Sequence, residues 1–170
     1  ALVEDIIKLS RLDEGEGNFS KEQVDLLALA KKTADVLQPA AEAADVTLSV
    51  DGERCFIEGI PQLLEAILYN LCDNAIKYNV ACGSVSMTVK NEKNGAVLTV
   101  SDTGIGIPIH QQERVFERFY RVDKSHSKQV GGTGLGLSIV KHAAKLHDAD
   151  VRLKSAPGKG TTVTILFPIE

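Results

Sequence analysis

The chain is predicted to fold as an α/β (α+β) two-layer sandwich in which a mixed, mainly antiparallel sheet packs against three helices. Three observations carry this expectation. Two alternating segments are each split by a turn dipeptide, Asp51-Gly52 and Asn94-Gly95. Three stretches repeat their apolar residues at helical spacing, and two short alternating segments close the chain. Strands and helices are interspersed, and 170 residues suffice for one domain with a proper core but not for two large ones.

The opening "ALVEDIIKLSRLDEGEGN" places Leu2, Ile6 and Leu9 on one helical face and then breaks into acidic residues and glycines. It starts without a cap, so residues 1–17 read as the last turns of a longer helix plus a linker. A short edge strand is expected next, and Asp25 is placed to cap a helix over 26–44 built on Leu26, Ala30, Thr33, Leu37, Ala40 and Ala44. "VTLSVDGERCFIEG" reads as a hairpin turning at Asp51-Gly52. Residues 60–79 form the strongest helical pattern, and "GSVSMTVKNEKNGAVLTVSD" reads as a second hairpin. Residues 103–133 show little sustained periodicity; loops that long in a compact domain are usually functional lids or disordered. A helix over about 134–147 and strands near 150–155 and 161–167, joined by "APGKG", complete the fold.

Hydrophobic residues make up 44% and charged residues 25%, the balance of a soluble globular domain. The net charge of −4 excludes a global basic footprint for nucleic acid, so an anionic ligand would have to be held by local groups. No apolar run approaches the roughly 20 residues of a membrane span, and the N-terminus does not resemble a signal peptide. Cys55, Cys72 and Cys82 form no C-x-x-C pair and read as reduced thiols of a cytoplasmic protein. His110, His126, His142 and His147 lack metal-ligand spacing and are taken as non-ligands.

Four local patterns could carry chemistry. On the helix "IPQLLEAILYNLCDNAIKYN", Asn70, Asn74 and Lys77 fall within about 60° of one another, beside the apolar face of Ile60, Leu64, Ile67, Leu68, Leu71 and Ala75. These groups are either a solvated face or a ligand-holding stripe at the border of the core. "VLTVSDTGIGIP" ends an alternating strand at Asp102, followed by Gly104 and Gly106. That suits either an Asp turn or an acceptor for the exocyclic amine of a purine. "QQERVFERFYRVDKSHSKQ" places Phe116 and Phe119 beside Arg114, Arg118 and Arg121, either as a solvated amphipathic helix or as a clamp with an arginine for phosphate. "GGTGLGLSIV" fits a P-loop at Gly131, Gly136 and Ser138 but has Leu137 where the lysine belongs, and a dinucleotide fingerprint would need glycine at 137. A mobile hinge and an anion site at a helix start both remain open there.

Taken in order, "NLCDNAIKY", "DTGIGI", "FERFYR" and "GGTGLGL" resemble the N, G1, F and G2 boxes of the catalytic ATP-binding domain of bacterial sensor histidine kinases. The likeness covers about residues 18–168. It implies a Bergerat-type ATP-binding fold over 18–170, with an ATP lid at about 103–133 and, at 1–17, the end of a dimerisation-domain helix plus linker. It implies ATP and Mg²⁺ as cofactors.

Carried over by this resemblance, Asp102 accepts the adenine amino group, Gly106 allows its close approach and Tyr78 lies near the base, with Gly104 and Ile107 in the same loop. Asn70 and Asn74 hold Mg²⁺ through their side-chain oxygens. Asn70, Lys77 and Arg118 are implied to be catalytic. Phe119 and Arg121 of the lid, and Gly132, Thr133, Gly134, Leu135, Gly136 and Leu137 of the glycine box, are implied to contact nucleotide. Hydrolysing relatives carry a glutamate at position 70 as general base, a role asparagine cannot take. The likeness therefore favours a kinase over an ATPase of the topoisomerase or chaperone branch, a serine kinase of the anti-sigma type, or a regulatory module without activity.

None of the four histidines is followed by Glu as in the family's H-E-x-x-T-P acceptor motif. The resemblance thus implies a fragment that passes the γ-phosphoryl to a histidine on an absent dimerisation domain, for relay to a response regulator. No nucleic acid or membrane contact by the fragment is expected, although the parent would be membrane-anchored with this domain on the cytoplasmic side. Two departures, Asn79-Val80-Ala81-Cys82 for a Thr-Pro run and "HDAD" for a glycine turn, leave local loop conformations open.

Overall fold

The computed structural model describes residues 20–112, 114–116 and 136–168. Residues 1–17 and most of the 103–133 lid lie outside them. The described elements run β1 (Glu22–Asp25), α1 (Leu26–Ala43), β2 (Val46–Gly52), β3 (Phe56–Gly59), α2 (Pro61–Lys77), β4 (Gly83–Glu92), β5 (Gly95–Asp102), α3 (Gly136–Leu146), β6 (Asp150–Ser155) and β7 (Thr161–Pro168). Short 3-10 turns occupy Ile109–Gln111 and Arg114–Phe116. The main sheet has the order β2-β4-β5-β7-β6; β2 pairs with β4 in parallel and the remaining pairs are antiparallel. The α/β sandwich with three helices against a mixed sheet is as expected.

Local chemistry explains most boundaries. The Asp25 carboxylate accepts the N–H groups of Leu27 and Ala28, satisfying two of the donors that a helix start leaves unpaired. α2 begins with Pro61 in its first turn, where a missing N–H costs nothing. Along β4, Val85, Met87 and Val89 point inward in strict alternation and are fully buried. They meet Leu64, Ile67 and Leu68 of α2, with Leu26, Leu98, Val140 and Ile165 in the same core. β4 and β5 form the expected hairpin, with Glu92 opposite Gly95.

The hairpin expected at Asp51-Gly52 does not form. β2 runs through Gly52 and pairs with β4 in register Val46↔Gly83 to Gly52↔Val89, whereas β3 pairs with β1 in a separate two-stranded sheet. Gly52 is glycine because its φ is 130° and a Cβ there would collide with the Val89 carbonyl. Glu53 continues the ladder by donating to that carbonyl, and Cys55 then turns inward, its carbonyl accepting the Leu26 N–H at the start of α1.

Both departures from the family pattern are also resolved. The Asn79 amide donates to the Ser84 carbonyl, and its oxygen accepts from Val80 N–H and the Thr103 hydroxyl, so one side chain ties the end of α2 to β4 and β5. In "HDAD", Asp148 adopts φ 52°. The N–H groups of Asp148 and Ala149 cap α3 on the carbonyls of Lys145 and Ala144, the work a glycine usually does. No described helix is long and apolar enough to cross a membrane.

Candidate nucleotide site

Two elements bring the expected residues together. The first is the polar stripe of α2. The Asn70 side-chain N–H donates to the Ala66 carbonyl at 2.7 Å, which fixes the amide and turns its Oδ1 outward. A Cβ placed on Gly136 would lie 3.2 Å from that Oδ1 and 3.4 Å from the Asn74 amide nitrogen. Both asparagines therefore face the N-terminal end of α3, where helical N–H groups point outward and favour anions. The Asn74 carboxamide makes no hydrogen bond to a described residue. The Lys77 ammonium, expected on the same stripe, lies 2.9 Å from the Asp73 carboxylate. Glu65 points away and pairs with Lys32 of α1.

The second element is the loop after β5. Asp102 Oδ1 accepts the N–H groups of Gly104 at 2.8 Å and Thr161 at 3.1 Å, leaving Oδ2 with no bond to a described residue. Burial pushes the Asp102 carboxyl above its ordinary pKa, against the opposing pull of these two N–H groups. Ile105 donates to the Tyr78 carbonyl, and a Cβ on Gly104 would collide with that oxygen, so the loop closes tightly on the end of α2. Gly106 has φ 72°, and a Cβ there would strike the Ala156 carbonyl. The turn between β6 and β7 therefore approaches this glycine closely. That turn holds the loop further: Ser155 Oγ accepts Ile107 N–H, Gly158 N–H donates to Ile105, and the Gln112 amide bridges the carbonyls of Ile107 and Ser155.

At the described edge of the lid, Val115 is buried and the Phe116 carbonyl accepts the buried Ser138 hydroxyl of α3 at 2.9 Å. Arg118, Phe119, Arg121, Gly132, Thr133, Gly134 and Leu135 lie outside the described residues. Gly136 and Leu137 open the described part of α3.

Several contributors escaped sequence reasoning. Asp73 was legible as an i, i+4 partner of Lys77. Ser138, a hydroxyl on an apolar helix face, was also a signal. Ser155, Thr161 and Gln112 each join the loop after β5 to the β6–β7 turn across more than 40 positions and left none. Among the described residues no group of three or more His, Cys, Asp or Glu could hold a metal. A divalent ion here would thus meet neutral amide oxygens. Asn70 Oδ1, oriented outward by its helix bond, and the Asn74 amide, which bonds to no described residue, fit such an ion when anionic oxygens of a ligand complete the set.

The family model described as "Histidine kinase-, DNA gyrase B-, and HSP90-like ATPase" matches residues 59–170. The chain is 38% identical over 168 residues to the sensor-like histidine kinase SenX3 of Mycolicibacterium smegmatis, covering 98% of this chain and 44% of that protein. It is 34% identical over 170 residues to the sensor histidine kinase WalK of Bacillus subtilis, covering 98% of this chain and 28% of that protein. The chain thus spans less than half the length of the curated relatives it matches. Among solved structures, full-length ShkA in complex with AMPPNP superposes with a TM-score of 0.85 at 27% identity, over 98% of this chain and 35% of that one. The mycobacterial sensor histidine kinase MprB superposes with a TM-score of 0.76 at 28% identity, over 87% and 97%.

Proposed function

The chain belongs to the family of histidine kinase-, DNA gyrase B- and HSP90-like ATPases, and from that premise we propose that it is the Mg-ATP-binding catalytic domain of a sensor histidine kinase. It passes the ATP γ-phosphoryl to a histidine on a dimerisation domain, for relay to a response regulator. The observation that carries the reading is the meeting of Asn70 and Asn74 with the N-terminal end of α3. That juxtaposition aims amide oxygens and helical N–H groups at one small volume, an arrangement suited to a phosphate chain with its counter-ion and to little else.

Each residue then has a task. Asp102 Oδ1 is committed to the Gly104 and Thr161 N–H groups, so Oδ2 takes the exocyclic amine of adenine. Tyr78, Gly104, Gly106 and Ile107 shape the base end of the site. Asn70 and Asn74 would hold Mg²⁺, whose charge offsets that of the triphosphate when it is bound. Lys77 binds phosphate oxygen, joined by Arg118, Phe119 and Arg121 of the lid and by the glycine box from Gly132 to Leu137. Catalysis of this kind rests on positioning and charge stabilisation, and the chain's residues supply both. An amide at position 70 accepts no proton from water, which favours transfer to a protein acceptor over hydrolysis. The parent protein would be membrane-anchored with this domain on the cytoplasmic side.

Two measurements test the reading. Incubated with radiolabelled ATP, the chain alone should remain unlabelled but should label an added cognate dimerisation domain; self-labelling would overturn the assignment. Asp102→Asn should keep both N–H contacts through its oxygen while presenting a donor to the adenine amine. ATP affinity by calorimetry should fall at least tenfold, with preference over GTP eroded; unchanged affinity and selectivity would sink the adenine assignment.

A further inference from the structure

Lys77 is not idle in this structure. Its ammonium lies 2.9 Å from the carboxylate of Asp73, one helical turn earlier on α2, with side-chain exposures of 32% and 18%. At about 100° per residue, Asp73 stands about 60° from Asn70 and about 40° from Lys77 around the helix, on the outer flank of the same polar stripe. The order acid then base at i, i+4 is the favourable one for an ion pair on a helix. The ammonium is therefore held along the helix by a carboxylate to which the nucleotide reading above gives no task.

We propose that Asp73 is a positioning residue that competes with nucleotide phosphate for Lys77 and so sets the affinity for phosphorylated adenine ligands. The proposal rests on the nucleotide reading above. A lysine ammonium is a compact charge with three rotatable donors on a flexible stem, so it exchanges one oxygen acceptor for another without moving the backbone. Carboxylate and phosphate oxygens are acceptors of the same class, and whatever Lys77 gains from phosphate is reduced by what it gives up at Asp73. A partly exposed i, i+4 pair is weak enough to be displaced by a polyanion, yet strong enough to register in its affinity. The pair also keeps the ammonium close to Asn70 and Asn74, where phosphate is to arrive.

Calorimetric titration of the 170-residue chain with adenosine, ADP and ATP at fixed Mg²⁺ and ionic strength tests this. Asp73→Asn, which preserves shape and removes charge, should tighten ADP and ATP binding by roughly three- to tenfold and leave adenosine unchanged. In the Lys77→Gln background the same substitution should lose more than half of its effect. Unchanged or weaker ADP and ATP binding overturns the proposal, as does equal tightening of adenosine, which would indicate a change in the fold. A full-sized gain without Lys77 would mean that Asp73 repels phosphate directly, and overturns the competition as well. If the wild-type chain binds none of the three ligands, the nucleotide reading fails and this proposal with it; normal wild-type binding with an unaltered Asp73→Asn profile removes the proposal alone.

Discussion

The Nε2 atom of His147 accepts the backbone N–H of Ile60 at 2.9 Å, across 87 positions of sequence, while its Nδ1 faces the Ala143 carbonyl at 2.7 Å. With one nitrogen accepting and the other donating, the ring is a neutral tautomer that joins the start of α2 to the end of α3. It also stacks edge-on against Phe167 of β7. The two helices that bring Asn70, Asn74 and Gly136 together are thus tied at their far ends by one imidazole.

Burial is the main cause that holds the His147 pKa below its ordinary value, with Lys21 acting in the same direction and the Ala143 carbonyl and Asp148 opposing. The folded state resists the proton that the unfolded chain accepts near pH 6.5. The stabilisation is therefore fully present above that pH and is lost as pH falls through the lower folded value. Urea unfolding should give a lower stability at pH 5 than at pH 7.5. His147→Phe should lose about 1 to 3 kcal/mol by stranding the Ile60 N–H, and should flatten that part of the pH profile. A profile unchanged by the substitution would assign the pH dependence to other groups.

Gly106→Ala tests whether the loop after β5 is shaped by protein contacts alone. The substitution meets both a positive φ and the Ala156 carbonyl, so it should destabilise the ligand-free chain by about 2 kcal/mol or more. Thermal melting without nucleotide is the readout. A melting temperature equal to wild type, with affinity lost, would return the glycine to its expected role beside adenine.

How far the sequence spoke depended on distance along the chain. The Asp25 cap, the hairpin of β4 and β5 and the closing strands depend on neighbours, and all were legible. The Asp51-Gly52 dipeptide carried a genuine turn signal, yet the partner of β2 is β4, more than 30 positions on, and long-range parallel pairing overrode it. The clamp of Ser155 and Thr161 on the loop after Asp102, and the bond of His147 to Ile60, have no local signature at all. Asn70, Asn74 and Lys77 were legible as a stripe because helical geometry is periodic; what the stripe faces is a tertiary fact.

Asp148 is an exposed residue in left-handed backbone at the end of α3, and its carboxylate sits at the negative end of the helix dipole. Asp148→Gly removes both costs and should stabilise the chain by about 0.5 to 1 kcal/mol, less the entropy glycine adds to the unfolded state. Urea midpoints compare the two proteins. A loss of stability would show that the Asp148 side chain makes a compensating contribution.

Asn74 provides the sharpest separation of binding from folding. Asn70 spends its amide N–H on the Ala66 carbonyl, so Asn70→Ala mixes a lost helix contact with a lost ligand. The Asn74 carboxamide bonds to no described residue, though it lies against the start of α3. Asn74→Ala should therefore leave stability within about 0.5 kcal/mol of wild type, as for a side chain that bonds to no described residue. The same variant should lose the Mg²⁺ dependence of ATP affinity, because the oxygen that would share the ion with the triphosphate is gone. Calorimetry with and without Mg²⁺ reads this directly. Full Mg²⁺ dependence in a stably folded Asn74→Ala chain would place the ion on other ligands and remove the role proposed for this amide.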